Sequence, residues 1–121
     1  MTLIASVGSA QALDGREAGL QAAHQALNRM GANSPGFVIV IASHQYQARE
    51  VLNGVTSLLG DIPMLGFSSP AGITHEGQHP HSVVVALLSG DFQADTLWLP
   101  GYAPSGRETA AKIVEHAAAR E

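Results

Sequence analysis

No cysteine occurs among the 121 residues, so this chain has neither a disulfide framework nor a thiolate metal site. Charge is scarce as well: Asp, Glu, Lys and Arg together make up 13% of the chain, and the net charge is −4. The six basic residues, Arg16, Arg29, Arg49, Arg107, Lys112 and Arg120, are scattered and form no patch interleaved with aromatics. That distribution argues against a nucleic-acid partner. No apolar stretch approaches the ~20 residues that cross a bilayer. The opening segment MTLIASVGSAQALDG lacks the basic start and the long apolar run of a signal peptide. A cytoplasmic protein working away from the membrane is the expectation.

What the chain does have is a hydrophobic share of 45%, enough to build a core in one domain spanning residues 1–121. Glycine and proline fall between periodic segments. Thr2 to Val7 reads as a short strand ending at Gly8-Ser9. Asp14-Gly15-Arg16-Glu17 has the spacing of a capping box that opens a helix. Ala18, Ala22, Ala26 and Met30, flanked by Ala23 and Leu27, then form one apolar face at helical spacing, and Gly31 is the expected C-cap.

The run GFVIVIAS, residues 36–43, is β-branched and continuous, the pattern of a strand buried on both faces. A second helix is expected from Gln45 to Leu59, with Val51, Leu52, Val55, Leu58 and Leu59 on one side and Gly60 as its stop. Ile62 to Phe67 is a third strand and His81 to Gly90 a fourth. Ala94 to Gly101 alternates and is expected to be a fifth. Ser105 and Glu108 form another capping box, opening a last helix that turns Ala110, Ile113, Val114 and Ala117 inward. The order β-α-β-α-β-β-β-α predicts an α/β fold with a mixed, mainly parallel sheet of about five strands and three helices. The third and fourth strands, joined by a loop, are expected to pair antiparallel.

Three strings carry possible chemistry. His75-Glu76-Gly77-Gln78-His79 is a literal H-E-x-x-H, which in a zinc hydrolase places both histidines on one face of a helix beside a water-activating glutamate. Gly77 inside the string and Pro80 directly after it oppose that helix, so a polar loop between two strands is expected. His75, Glu76, His79 and His81 remain candidates for adventitious metal capture. Gly101 to Thr109 follows a strand and opens a helix as a phosphate loop does. Arg107 stands where such a loop has lysine and Glu108 where it has a hydroxyl, and Glu108 would repel a phosphate there. Gly66 to Pro70, GFSSP, is one residue short of a nucleophile elbow and leads into a loop and not a helix. No catalytic residue and no cofactor is assigned.

Position then matters more than motif. In open α/β sheets, ligands bind beyond the carboxyl ends of the parallel strands. Those ends carry Gly8-Ser9, then Ser43-His44-Gln45-Tyr46, then Ser68-Ser69 with Gly72 nearby. Such a rim suits a small polar ligand. The competing reading is that these serines only turn and cap the chain.

The segments GFVIVIASHQYQAREVLNGV and IPMLGFSSPAGITHEGQHPHSVVVALLSG resemble the N-terminal part of the FIST domain (F-box and intracellular signal transduction). Gly66, Ser68, Ser69, Gly72, Gly77 and the strand from Ser82 to Leu88 match that family's pattern in order, and DGREAGLQAAHQAL fits its alanine-rich first helix. The resemblance implies a sensory, signal-transduction module that binds small ligands such as amino acids and works with a signalling partner. Two departures stand out. Gly72 is followed by Ile73-Thr74 where the family often has an acid, and the family's N-terminal domain is usually longer. A shortened version would leave sheet edges and apolar faces open, so a homodimer is expected.

The resulting expectation is a non-catalytic sensor of amino acids or similar small polar metabolites. Its ligand contacts are expected at Ser43, His44, Gly66, Ser68, Ser69 and Gly72. A dimerisation module is the alternative, and a metal-dependent hydrolase using His75, Glu76 and His79 ranks behind both.

Overall fold

In the structure, a computed structural model, residues 2–100 and 103–119 are described. The elements in chain order are β1 (Ile4–Ala10), α1 (Gly15–Met30), β2 (Phe37–Ser43), α2 (Ala48–Leu59), β3 (Met64–Ser69), β4 (Ala71–Thr74), β5 (Gly77–Pro80), β6 (Val83–Ser89) and α3 (Gly106–Ala119).

Local signals place most of these elements. Asp14 caps α1 by accepting the Glu17 backbone N–H at 3.3 Å. Gly31 ends the helix at φ 71 and Gly60 ends α2 at φ 75, left-handed values that suit a residue without a β-carbon. The second helix begins at Ala48 and not at Gln45, because Ser43, Gln45 and Tyr46 first make a turn. There the Tyr46 N–H bonds the Ser43 carbonyl at 3.0 Å.

The sheet corrects the expected topology. Its four strands lie in the order β1-β6-β2-β3, and a separate two-stranded sheet pairs β4 with β5. Among the described residues, only β2 with β3 is a parallel pair; β6 is antiparallel to both β1 and β2, so the sheet is not mainly parallel. The reason lies between residues 69 and 83. A parallel return needs a crossover of a dozen or more residues, but this stretch is spent on the β4–β5 hairpin at the end of β3. The chain therefore starts β6 at the rim where β3 ended and runs back down the sheet, between β1 and β2. It does not pair with β3, which stays at the edge. Residues 94–100 form no strand, so the expected fifth strand is absent from the main sheet; Gly101 lies outside the described residues.

One face of the sheet is covered. Val38, Val40, Val83, Val85 and Leu87 pack against Ala18, Ala22, Ala26 and Met30 of α1 and Val51 and Val55 of α2. Small residues let the layers approach: a β-carbon at Gly8 would stand 2.6 Å from the Ala26 nitrogen, inside van der Waals contact. Ser6 ties the same layers together by donating to the Ala26 carbonyl at 2.7 Å.

The opposite face is only partly covered, by the β4–β5 hairpin. Gly72 sits over Val84, where a β-carbon would be 2.5 Å from Val84 Cγ2. Leu65 and Phe67 on edge strand β3 are 52% and 57% exposed. The last helix forms where expected, yet its apolar positions are not inward. Ala110 and Ala117 are exposed, and Ile113 and Val114 are 49% and 67% exposed. Periodicity gave α3 an apolar face, but among the described residues no sheet or helix packs over it. Glu108 stands 3.8 Å from Lys112 one turn on, and the Asp95 carboxylate lies 2.7 Å from His116 Nε2.

Candidate functional site

A cleft of about 410 Å³ opens between α2 and the β2–β3 edge, on the helix-covered face of the sheet. It exists because α2 leans on α1, which covers β1 and β6, and the β2–β3 edge is left less fully covered. Val40, Ala42 and Ser43 of β2 form its floor, with Met64, Gly66 and Ser68 of β3 beside them. Ala48, Val51 and Leu52 of α2 make the opposing wall, and Tyr46 closes the end. Pleating accounts for Val40 with Ala42 and for Met64 with Gly66 and Ser68, since alternate residues of a strand face the same side; Ser43 and Phe67 join the lining at the strand ends. Register places Val40 beside Gly66 and Ala42 beside Ser68. Gly66 keeps the floor low, since a β-carbon there would come 3.0 Å from the Val40 carbonyl oxygen.

Tyr46 is fixed from both sides. Its hydroxyl donates to the Ala12 carbonyl and lies 3.3 Å from the His81 carbonyl. Its ring meets the His81 ring at a centroid distance of 4.7 Å and a tilt of 37°. Burial raises the phenol pKa above its usual value of 10.0, because the anion would be poorly solvated there. Tyr46 thus joins the β1–α1 loop, the start of α2 and the end of the hairpin in one small cluster.

Three of the residues expected to bind ligand, Ser43, Gly66 and Ser68, line this cleft. Ser43 is buried and its hydroxyl bonds Gln45 Oε1, while Ser68 is exposed. The other three do not. His44 is exposed and its backbone N–H bonds the Ser69 carbonyl at 3.1 Å. Ser69 turns its hydroxyl to the Ala71 carbonyl at 2.8 Å, and Gly72 serves the packing of the hairpin on Val84. Tyr46, placed at the rim by the strand-end pattern but not among the expected ligand contacts, closes the cleft, and Leu52 and Met64 line it without having been expected there. The apolar stripe of α2 gave a signal for Leu52, but nothing local tells a wall from a core position.

The H-E-x-x-H string lies on a β-hairpin, which replaces the expected loop. Thr74 pairs with Gly77 across a two-residue turn of His75 and Glu76, and Gly77 takes φ 126. In extended backbone His75 and His79 do not share a helical face. His79 Nε2 is 2.7 Å from the Thr74 hydroxyl, and His81 stacks on Tyr46. Among the described residues no three His, Asp or Glu side chains cluster as metal ligands would. GFSSP runs from β3 into β4, so no helix follows Ser68 as an elbow requires. Gly101 and Tyr102 of the phosphate-loop-like string lie outside the described residues. Among the described residues no helix is long and apolar enough to cross a membrane.

A family model, the FIST N domain, matches residues 36–120. No curated protein matches the sequence. Among solved structures the chain is similar to "FtsZ W319Y mutant, P1 (M. jannaschii)", with 14% identity and a TM-score of 0.48 over 73% of this chain. It spans only 27% of that protein, and a likeness at this level says nothing about function. The family model covers well over half of the sequence, including both strands and the helix that build the cleft, and the chain belongs to the FIST N domain family.

Proposed function

We propose that this chain is a non-catalytic sensory module whose small ligand occupies the cleft between α2 and the β2–β3 edge. The observation that carries the reading is the position of that cleft. It reaches the carboxyl ends of the parallel pair β2–β3, where Ser43 and Ser68 lie beside an aliphatic floor and wall. A cytoplasmic module that passes ligand occupancy to a signalling partner completes the reading. Thermal-shift screening of small metabolites tests it, with the cleft-filling variant Ala48→Phe as control. Stabilisation that disappears in the variant is expected. No stabilisation by any compound, or an equal effect in the variant, refutes it.

A second reading rests on the open face. Leu65 and Phe67 are more than half exposed on edge strand β3, and Ile73 of the hairpin is 75% exposed. Pairing of β3 with β3 of a second copy would satisfy the free backbone edge and cover these side chains. A homodimer is therefore part of the proposal, with the signalling partner as the other candidate for that face. Sedimentation across a range of protein concentrations checks it, and a concentration-independent monomer mass refutes it.

A further inference from the structure

The chemistry of the cleft narrows the class of ligand. Its walls are apolar and mostly aliphatic, chiefly Val40 and Ala42, Val51 and Leu52, and Met64, with Phe67 on β3 and Tyr46 at the closed end. Among the described residues, no Asp, Glu, Lys, Arg or His side chain lines it. Three hydroxyl side chains do, and two of them are committed. Ser43 is bonded to Gln45, and Tyr46 turns its hydroxyl to the Ala12 and His81 carbonyls. Ser68 is the exposed hydroxyl, and its side chain makes no hydrogen bond to another described residue.

A carboxylate or an ammonium entering this space would shed water without meeting a counter-ion, and a lone hydroxyl does not repay that loss. Among the described residues, the electropositive feature at the cleft is the amino end of α2, where Ala48 lines it and Gln47 supplies no side-chain cap. Glu50 in the same first turn already sets a carboxylate against those N–H dipoles, which disfavours a second anion. The volume of about 410 Å³ is at the small end of ligand pockets, which run from about 300 to 1,000 Å³.

From this geometry we infer that the cleft takes an uncharged, mainly aliphatic small molecule with one hydrogen-bonding end read by Ser68, in preference to a zwitterionic amino acid or a carboxylate. The inference rests on the cleft being the ligand site and names the ligand class for it. Ser43 and Tyr46 spend their hydroxyl protons on the turn and the cluster, so Ser68 is the lining hydroxyl with a proton to donate to the ligand.

Three probes that share one branched carbon skeleton separate charge from shape: 4-methylpentanamide is neutral, 4-methylpentanoate is an anion and leucine is a zwitterion. Each is titrated into the intact chain at neutral pH, with binding followed by the amide resonances of Ser43, Gly66 and Ser68. The neutral amide is expected to move these resonances and to bind at least roughly tenfold tighter than either charged probe. In Ser68→Ala the affinity for the amide falls by about fivefold, while the melting temperature of the free protein is unchanged because that hydroxyl makes no bond to another described residue. Binding of leucine or 4-methylpentanoate as tight as that of the amide overturns the ligand class and leaves the cleft as the ligand site. An unchanged amide affinity in Ser68→Ala overturns the reading by that hydroxyl. If none of the three probes moves a resonance at the cleft, the ligand class and the site both fall.

Discussion

Gly54 of α2 lies against Arg16 of α1 with no room for a side chain between the two helices. A β-carbon at Gly54 would stand 2.9 Å from the Leu20 nitrogen and closer still to the Arg16 carbonyl oxygen. Gly19 repeats the arrangement from the other helix, against the backbone of Val51. Gly54→Ala carries two opposed effects. Helix propensity favours alanine by up to about 1 kcal/mol. The overlap is with backbone that cannot rotate away, and overpacking of this kind costs about 1–3 kcal/mol. The overlap wins, so a net loss of about 1–2 kcal/mol is expected by urea unfolding. A stabilised Gly54→Ala would show that the helices are not this close.

Tyr46→Phe removes a buried hydroxyl that serves two carbonyls and is expected to cost about 1–2 kcal/mol. The same residue gives a pH signature. Its folded pKa is raised above 10.0 by burial. The stabilisation it contributes is therefore complete below the unfolded value and is lost as pH rises from there through the folded value. Ultraviolet titration should find one phenol ionising above the normal range. Chemical unfolding at alkaline pH should show a fall in stability that Tyr46→Phe lessens. A normal phenol titration for Tyr46 refutes the burial.

The hairpin predicts indifference to zinc at His75 and Glu76 but sensitivity at Gly77. A φ of 126 is open to glycine alone, so Gly77→Ala should cost about 1–2 kcal/mol. His75→Ala and Glu76→Ala, both at the exposed turn, should stay within about 0.5 kcal/mol of the parent. Zinc at micromolar concentration should raise the melting temperature by less than about one degree. A rise of many degrees that His79→Ala abolishes would restore a metal site.

Val55 and Val114 read alike in the sequence, each on the apolar stripe of a helix, yet the structure separates them. Val55 is fully buried and Val114 is 67% exposed. Val55→Ala should cost about 2 kcal/mol, whereas Val114→Ala should stay within about 0.5 kcal/mol. Equal costs would mean that α3 is packed in solution, and a concentration-dependent cost at Val114 would point to cover by a second copy.

Features that depend on a few neighbouring residues could be read from the amino-acid order. The Asp14 cap, the glycine stops at Gly31 and Gly60, the three helices and the apolar strand runs were all legible, because capping and periodicity act within one or two turns. The family pattern was legible for the same reason, since it rests on short ordered strings such as GFSS. Tertiary structure alone decided how these pieces meet. The insertion of β6 between β1 and β2 depends on pairings such as Val7 with Ala86 and Val40 with Val85, far apart in the chain and unmarked by any local preference. The exposure of Ile113 and Val114 depends on what lies opposite them, and periodicity reports only that a face exists. The cleft is the clearest case. Ser43, Tyr46 and Ser68 stand at strand ends and Gly66 in the family pattern, but Leu52 and Met64 became its walls only because α2 leans toward α1 through the two glycines and leaves the β2–β3 edge uncovered.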